Sequence, residues 1–107
     1  MIKYFFKGNY TAQGVQGLVK EGGSARVDAV AKLAASLGGK LEFFHFSAGT
    51  PTYYGVFSLP DPGAAASLAA TVIGSGAVTV DECVPILNGE QMDAALGNKP
   101  TYRAPGR

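Results

Sequence analysis

The 107 residues predict one α+β domain, with helices laid on one face of a four-stranded antiparallel sheet. Three observations carry this expectation. Strand-like and helix-like stretches follow one another as strand, helix pair, strand, strand, helix, strand, with a small helix at the end. Glycine, proline and capping residues separate them at each junction. The chain is also long enough to bury roughly two-thirds of its unfolded surface around a single core.

Residues 2–10, IKYFFKGNY, are β-branched and aromatic and read as the first strand. Thr11 is placed to cap a helix over TAQGVQGLVKEGG. Gly14 and Gly17 each cost that helix about 1 kcal/mol relative to alanine, so it is either short or pressed against another backbone. A second helix, SARVDAVAKLAASLGG, has Ser24 as its expected cap and Val27, Val30, Leu33, Ala34 and Leu37 as one apolar stripe. Gly38-Gly39 ends it.

Two strands follow, over residues 40–48 and 52–59, joined through Gly49-Thr50-Pro51. Asp61 then caps a thin, alanine-rich helix with Pro62 in its first position, where a missing N–H costs nothing. The last strand, AVTVDECVPIL, contains Pro85 and therefore needs a free edge or a bulge there. Asn88 and Gln91 form a capping pair for a short helix holding Met92, Ala95 and Leu96. Residues 1–97 make up the domain, and residues 98–107, NKPTYRAPGR, form a tail or an arm laid on a partner.

This order gives the split β-α-β, or ferredoxin-like, arrangement. Such a sheet ordinarily alternates cleanly between apolar and polar faces. Here it does not. If Lys3, Lys7, Glu42, Thr52 and Ser58 point away from the helices, strict alternation puts Phe5, Phe44, Phe46, Tyr54 and Val56 on that same outer face. Each left in water forfeits on the order of 1.5–3 kcal/mol. A second copy packed sheet to sheet covers them, and a homodimer or higher homo-oligomer is expected.

Composition narrows the function classes. A net charge of +1 gives no electrostatic footprint for nucleic acid or a membrane surface. No apolar stretch approaches the roughly 20 residues that span a bilayer, and Lys7 interrupts the only apolar run near the N-terminus. Cys83 is the sole cysteine, so a cytoplasmic location is the expectation.

The blocks GNYTAQGVQGLVKEGGSARVDAVAKLAASLGGKLEFFHF, LPD, SGAVTVDECVPIL and EQMDAA, spread from Lys3 to Leu96, resemble bacterial proteins of the GYD-domain family. The combination of NYT, EGGS, LGGK, LPD and SGAV carries the likeness. The resemblance implies a dimeric α/β barrel and no particular reaction. It also shows a departure: Gly49 matches the glycine of the naming Gly-Tyr-Asp, but Thr50, Pro51 and Thr52 follow it, so Tyr and Asp are absent. The wider set of dimeric α/β barrels includes cofactor-free monooxygenases, lactone isomerases and haem proteins, a likeness of fold alone.

The search for chemistry returns few groups. Gly38-Gly39-Lys40 lacks the Ser/Thr of a phosphate loop and leads from helix into strand. Gly74-Ser75-Gly76 precedes a strand, the wrong order for a dinucleotide fingerprint, and one histidine with one cysteine makes no closed zinc site. No cofactor and no metal are expected. His45 is the candidate acid–base residue, with a packed, hydrogen-bonded histidine as the plainer reading. Cys83 reads as structural and Asp81-Glu82 as solvated charge. Tyr10, His45, Tyr53 and Tyr54 are candidates to line a ligand cavity; Arg26 and Arg103 are candidate anion holders that nothing in the sequence brings together. The expected function is a small dimeric module that binds a small apolar or aromatic ligand or acts as an oligomerising component. The alternative is a cofactor-independent enzyme, monooxygenase- or isomerase-like, using His45 and tyrosines in a cavity at the sheet.

Overall fold

In the computed structural model, which describes residues 1–107, Thr11, Asp61 and Asn88 each start a helix by accepting a backbone N–H into the side-chain oxygen. The order is β1 (Ile2–Asn9), α1 (Ala12–Glu21), α2 (Gly23–Ser36), β2 (Lys40–Phe46), β3 (Thr52–Leu59), α3 (Pro62–Gly74), β4 (Glu82–Ile86) and α4 (Gly89–Leu96). The strands line up as β2-β3-β1-β4, every neighbouring pair antiparallel, which is the ferredoxin-like order. Two expected details differ. Ser24 is not a cap: α2 starts two residues earlier than that cap requires, at Gly23, behind Gly22 at φ 90°, with no side-chain cap. The last strand is also shorter than residues 77–87. The 77–81 stretch runs beside β1 through single bonds, Thr79 N–H to Asn9 O and Asp81 N–H to Lys7 O, before regular pairing begins at Glu82. Pro85 lies on this edge strand, where it faces no missing partner.

Gly14 shows why α1 carries glycines. A Cβ there would overlap the carbonyl oxygen of Ala77, so helix and segment are in backbone contact; at Gly17 nothing stands within 4 Å. The two positions should therefore respond oppositely to alanine. Gly17→Ala is expected to stabilise the fold by up to about 1 kcal/mol through helix propensity. Gly14→Ala is expected to destabilise it by about 1–3 kcal/mol, since the clash is with backbone and outweighs that gain. Urea denaturation of the two variants checks the sign of each.

The core lies between the sheet and α2 and α3. Tyr4, Phe6, Tyr53, Phe57 and Leu59 rise from β1 and β3 to meet Ala34 of α2 and Ala65 and Leu68 of α3. Val27, Val30, Leu33 and Leu37 pack around this centre, so the α2 stripe faces the sheet as its spacing predicts.

β2 departs from simple alternation. Leu41 pairs with Phe57, yet Phe43 pairs with the next residue, Val56, so Glu42 is an inserted residue, a β-bulge. Beyond it every side chain changes face. Phe44 and Phe46 therefore point to the helix side, correcting the expectation that they join Phe5, Tyr54 and Val56 on the outer face. Phe44 is 7% exposed and stacks on Tyr53, ring centroids 5.4 Å apart at 22°. Phe43 and His45 take the outer face instead, their rings 4.9 Å apart.

Across that outer face run Phe43, Val56, Phe5 and Val84, paired strand to strand. On one side of this row lies Ser58 with Lys3, and on the other Tyr54 with Lys7 and Glu82. Ser58 Oγ donates to Glu42 Oε2 at 2.6 Å, which holds the carboxyl of the exposed Glu42 below its ordinary range.

The C-terminal segment stands off the body. Every residue of α4 is exposed, and the helix makes no substantial contact with another element. The Cα radius of gyration is 16.9 Å and the longest extent 57 Å, against about 13 Å for the radius of a compact chain of this length.

Candidate functional site

A cavity of about 200 Å³ lies between the sheet and the two helices that cover it. Its floor is aromatic: Phe6, Phe44, Tyr53 and Phe57, with Tyr10 at the end of β1. Its walls are Arg26, Ala29, Val30 and Leu33 on α2, and Leu68, Thr71 and Val72 on α3. Small residues leave the gap. α2 turns Ala29 toward it, Ser75 and Ala77 line the end beyond α3, and the two helices make at most marginal contact with one another. Gly55 adds depth from below. A Cβ there would stand 3.0 Å from Phe57 and 3.1 Å from Phe44, so the glycine lets both rings lie against β3.

Of the residues expected to line a cavity, the structure brings together Tyr10 and Tyr53. Their rings meet edge to face, centroids 5.8 Å apart. Tyr54 and His45 are absent from this cavity: they are paired neighbours on the far face of the sheet. The bulge at Glu42 puts His45 there, since strict alternation from Leu41 places it under the helices. Arg26 lines the cavity, and Arg103 lies in the tail, where its Nη1 donates to Arg107 O, so the two arginines do not form one anion site. Cys83 packs at the core margin, and burial raises its thiol pKa, in keeping with a structural cysteine.

Sequence reasoning missed the part α2 plays in the site. Arg26 was singled out as a candidate anion holder with no site to belong to, and Ala29 stood in plain view, but alanine in a helix that covers a sheet reads as close packing. Only the distance between α2 and α3 turns it into space.

A family model described as GYD domain matches residues 4–96. The chain belongs to the GYD-domain family. Neither a curated protein nor a solved structure matches it. In this GYD domain the segment that departs from the naming tripeptide is the β2–β3 connection. Thr50 Oγ1 lies 2.8 Å from Ser47 Oγ and 3.0 Å from Thr52 Oγ1, and Pro51 O accepts from Tyr10 N–H at 2.8 Å. The connection is therefore tied to the mouth residue Tyr10 by backbone, without the missing side chains.

Both cavity tyrosines hold their protons firmly. Burial pushes Tyr10 up to about 12 from 10.0, with Arg26 pulling the other way. Burial, with Asp81 adding to it, also raises Tyr53, whose Oη donates to Thr79 O at 2.7 Å. A raised native pKa means the unfolded chain ionises first. The stability these two protons contribute is fully present below pH of about 10 and is lost as pH rises through about 12 and beyond. Alkaline titration should show ionisation of Tyr10 and Tyr53 only together with loss of the far-UV circular dichroism signal. Tyr53→Phe should make the loss of stability less steep over that range.

Proposed function

We propose that this GYD domain is a homodimeric binding module that encloses a small apolar or aromatic molecule between its sheet and helices. The observation that carries this reading is the cavity of about 200 Å³, bounded by five aromatic side chains and by aliphatic ones from α2 and α3. An apolar cavity of about 150 Å³ stays dry and takes up benzene, so this one has room for a single ring with a short substituent. Its lining contains no histidine, carboxylate or thiol. With His45 on the opposite face of the sheet, catalysis by His45 and tyrosines in one cavity has lost its acid–base group, and the binding reading is favoured.

The dimer half of the proposal is supported by the outer face. Phe43 is 38% and Val84 41% exposed, in one row with the half-buried Phe5 and with Val56, and every packed helix lies on the other side of the sheet. Val56, at 8% exposed, is already covered within the single chain, contrary to the expectation that it stands in water. Four strands at about 4.8 Å spacing and about seven residues at about 3.3 Å give a face of roughly 440 Å². A standard interface takes roughly 800 Å² from each partner. The projecting α4, with Met92 and Leu96 exposed, supplies further apolar surface for the second copy.

Titration with toluene and indole, followed by calorimetry, tests the cavity. Binding to the native protein is expected, and Ala29→Phe, which fills the wall, should abolish it while leaving the circular dichroism spectrum unchanged. Absence of binding by both probes, or full retention in the filled variant, refutes the reading.

A further inference from the structure

The polar groups of the cavity can be counted, and most are already engaged. Tyr53 Oη donates to Thr79 O at 2.7 Å. Thr71 and Ser75 each donate to a carbonyl of their own helix, Ser67 O and Val72 O, both at 2.7 Å. Arg26 and Tyr10 remain. Arg26 Nε lies 3.2 Å from Glu21 Oε1, close enough for an ion pair, but the N–H is not aimed at that oxygen, and the buried Nε has no hydrogen-bond acceptor. Glu21 thus holds the guanidinium, a third exposed, at the cavity wall and leaves its Nε–H without a hydrogen bond. Tyr10 lines the same cavity as Arg26, and the charges of the pair act on its hydroxyl.

A guanidinium offers a planar fork of N–H donors that matches a carboxylate in two parallel bonds. We propose that the ligand of this cavity is a small aromatic monocarboxylate, with its ring against Phe44 and Phe57 and its carboxylate on Arg26 and Tyr10. The proposal rests on the reading of the cavity as a binding site and adds the chemical class of the occupant. Size and charge agree. The cavity of about 200 Å³ holds one ring and a short acidic arm, and a carboxylate leaving water is tolerated where a cation and hydrogen-bond donors meet it. Glu21 sets a condition on the ligand, because a second acidic group beside it would be repelled.

Phenylacetate, its neutral analogue phenylacetamide, and toluene separate the possibilities by calorimetry at neutral pH. Phenylacetate is expected to bind about tenfold or more tightly than phenylacetamide, the worth of one charge-assisted contact. Arg26→Met should erase that preference, with an unchanged far-UV circular dichroism spectrum to show that the variant is folded. If Arg26→Met does not fold, Arg26→Lys is the second variant; it keeps the charge without the fork and should weaken phenylacetate several-fold relative to phenylacetamide. Equal affinity for phenylacetate and phenylacetamide, or a preference that survives Arg26→Met, overturns the proposal and leaves the apolar cavity standing. Failure of all three probes, toluene included, overturns the cavity reading itself.

Discussion

Phe57→Ala is expected to cost the fold about 3–5 kcal/mol, the range for emptying a fully buried phenylalanine site. Phe57 is 2% exposed on the central strand β3, edge to face with Phe6 at 5.1 Å between centroids, and forms part of the cavity floor. The neighbouring space cannot collapse onto the gap, because the sheet below is hydrogen-bonded on both sides of β3 and α2 and α3 already stand apart above it. A domain of this size has roughly 5–15 kcal/mol in all, so the variant should sit near the edge of folding. Phe57→Leu, which restores most of the volume, should cost less than about 1.5 kcal/mol. Urea midpoints with an unchanged slope check both. A Phe57→Ala variant as stable as the native protein would mean that the sheet and helices do not share this core.

Phe43→Glu combined with Val84→Glu is expected to turn the proposed dimer into a monomer at micromolar concentration. Both side chains are more than a third exposed in the single chain and carry none of its core, so the protomer should keep its fold. In a sheet-to-sheet pair each carboxylate would be desolvated near its symmetry mate. The combined penalty of several kcal/mol weakens association on the order of a hundredfold or more. Val19→Glu, on the helix surface and 81% exposed, is the control that should change nothing. A chain ending at Leu87 should fold and associate more weakly, since α4 buries none of its residues in its own body. Sedimentation velocity reads all three variants. A native protein that sediments as a monomer, or a double variant that remains a dimer, refutes the sheet-face interface.

The two variants bear on opposite sides of one sheet, and the bulge at Glu42 determines which residues belong to which side. Strict alternation assigns Phe44 and Phe46 to the outer face and Phe43 and His45 to the inner one. The inserted residue exchanges these assignments. The strand reads Phe43, Phe44, His45, Phe46, with aromatic rings at consecutive positions, so either phase buries rings and β2 alone cannot choose. The neighbouring strand makes the choice: Gly55 leaves room for Phe44, Tyr53 stacks on it, and Ser58 anchors the Glu42 carboxylate.

What the sequence determined by itself was local: strands where β-branched and aromatic residues gather, helices that begin at Thr11, Asp61 and Asn88, the stop at Gly38, and the α2 stripe. Each of these depends on residues within a few positions of one another, through dihedral preference, a capping bond or helical spacing. Tertiary structure alone decided the bulge, the faces of the β2 rings, the gap between α2 and α3, and the placing of Arg26 and Tyr10 on the lining of one cavity. Those depend on the fit of side chains far apart in the chain, and packing has no signature in the order of residues until both surfaces are in place.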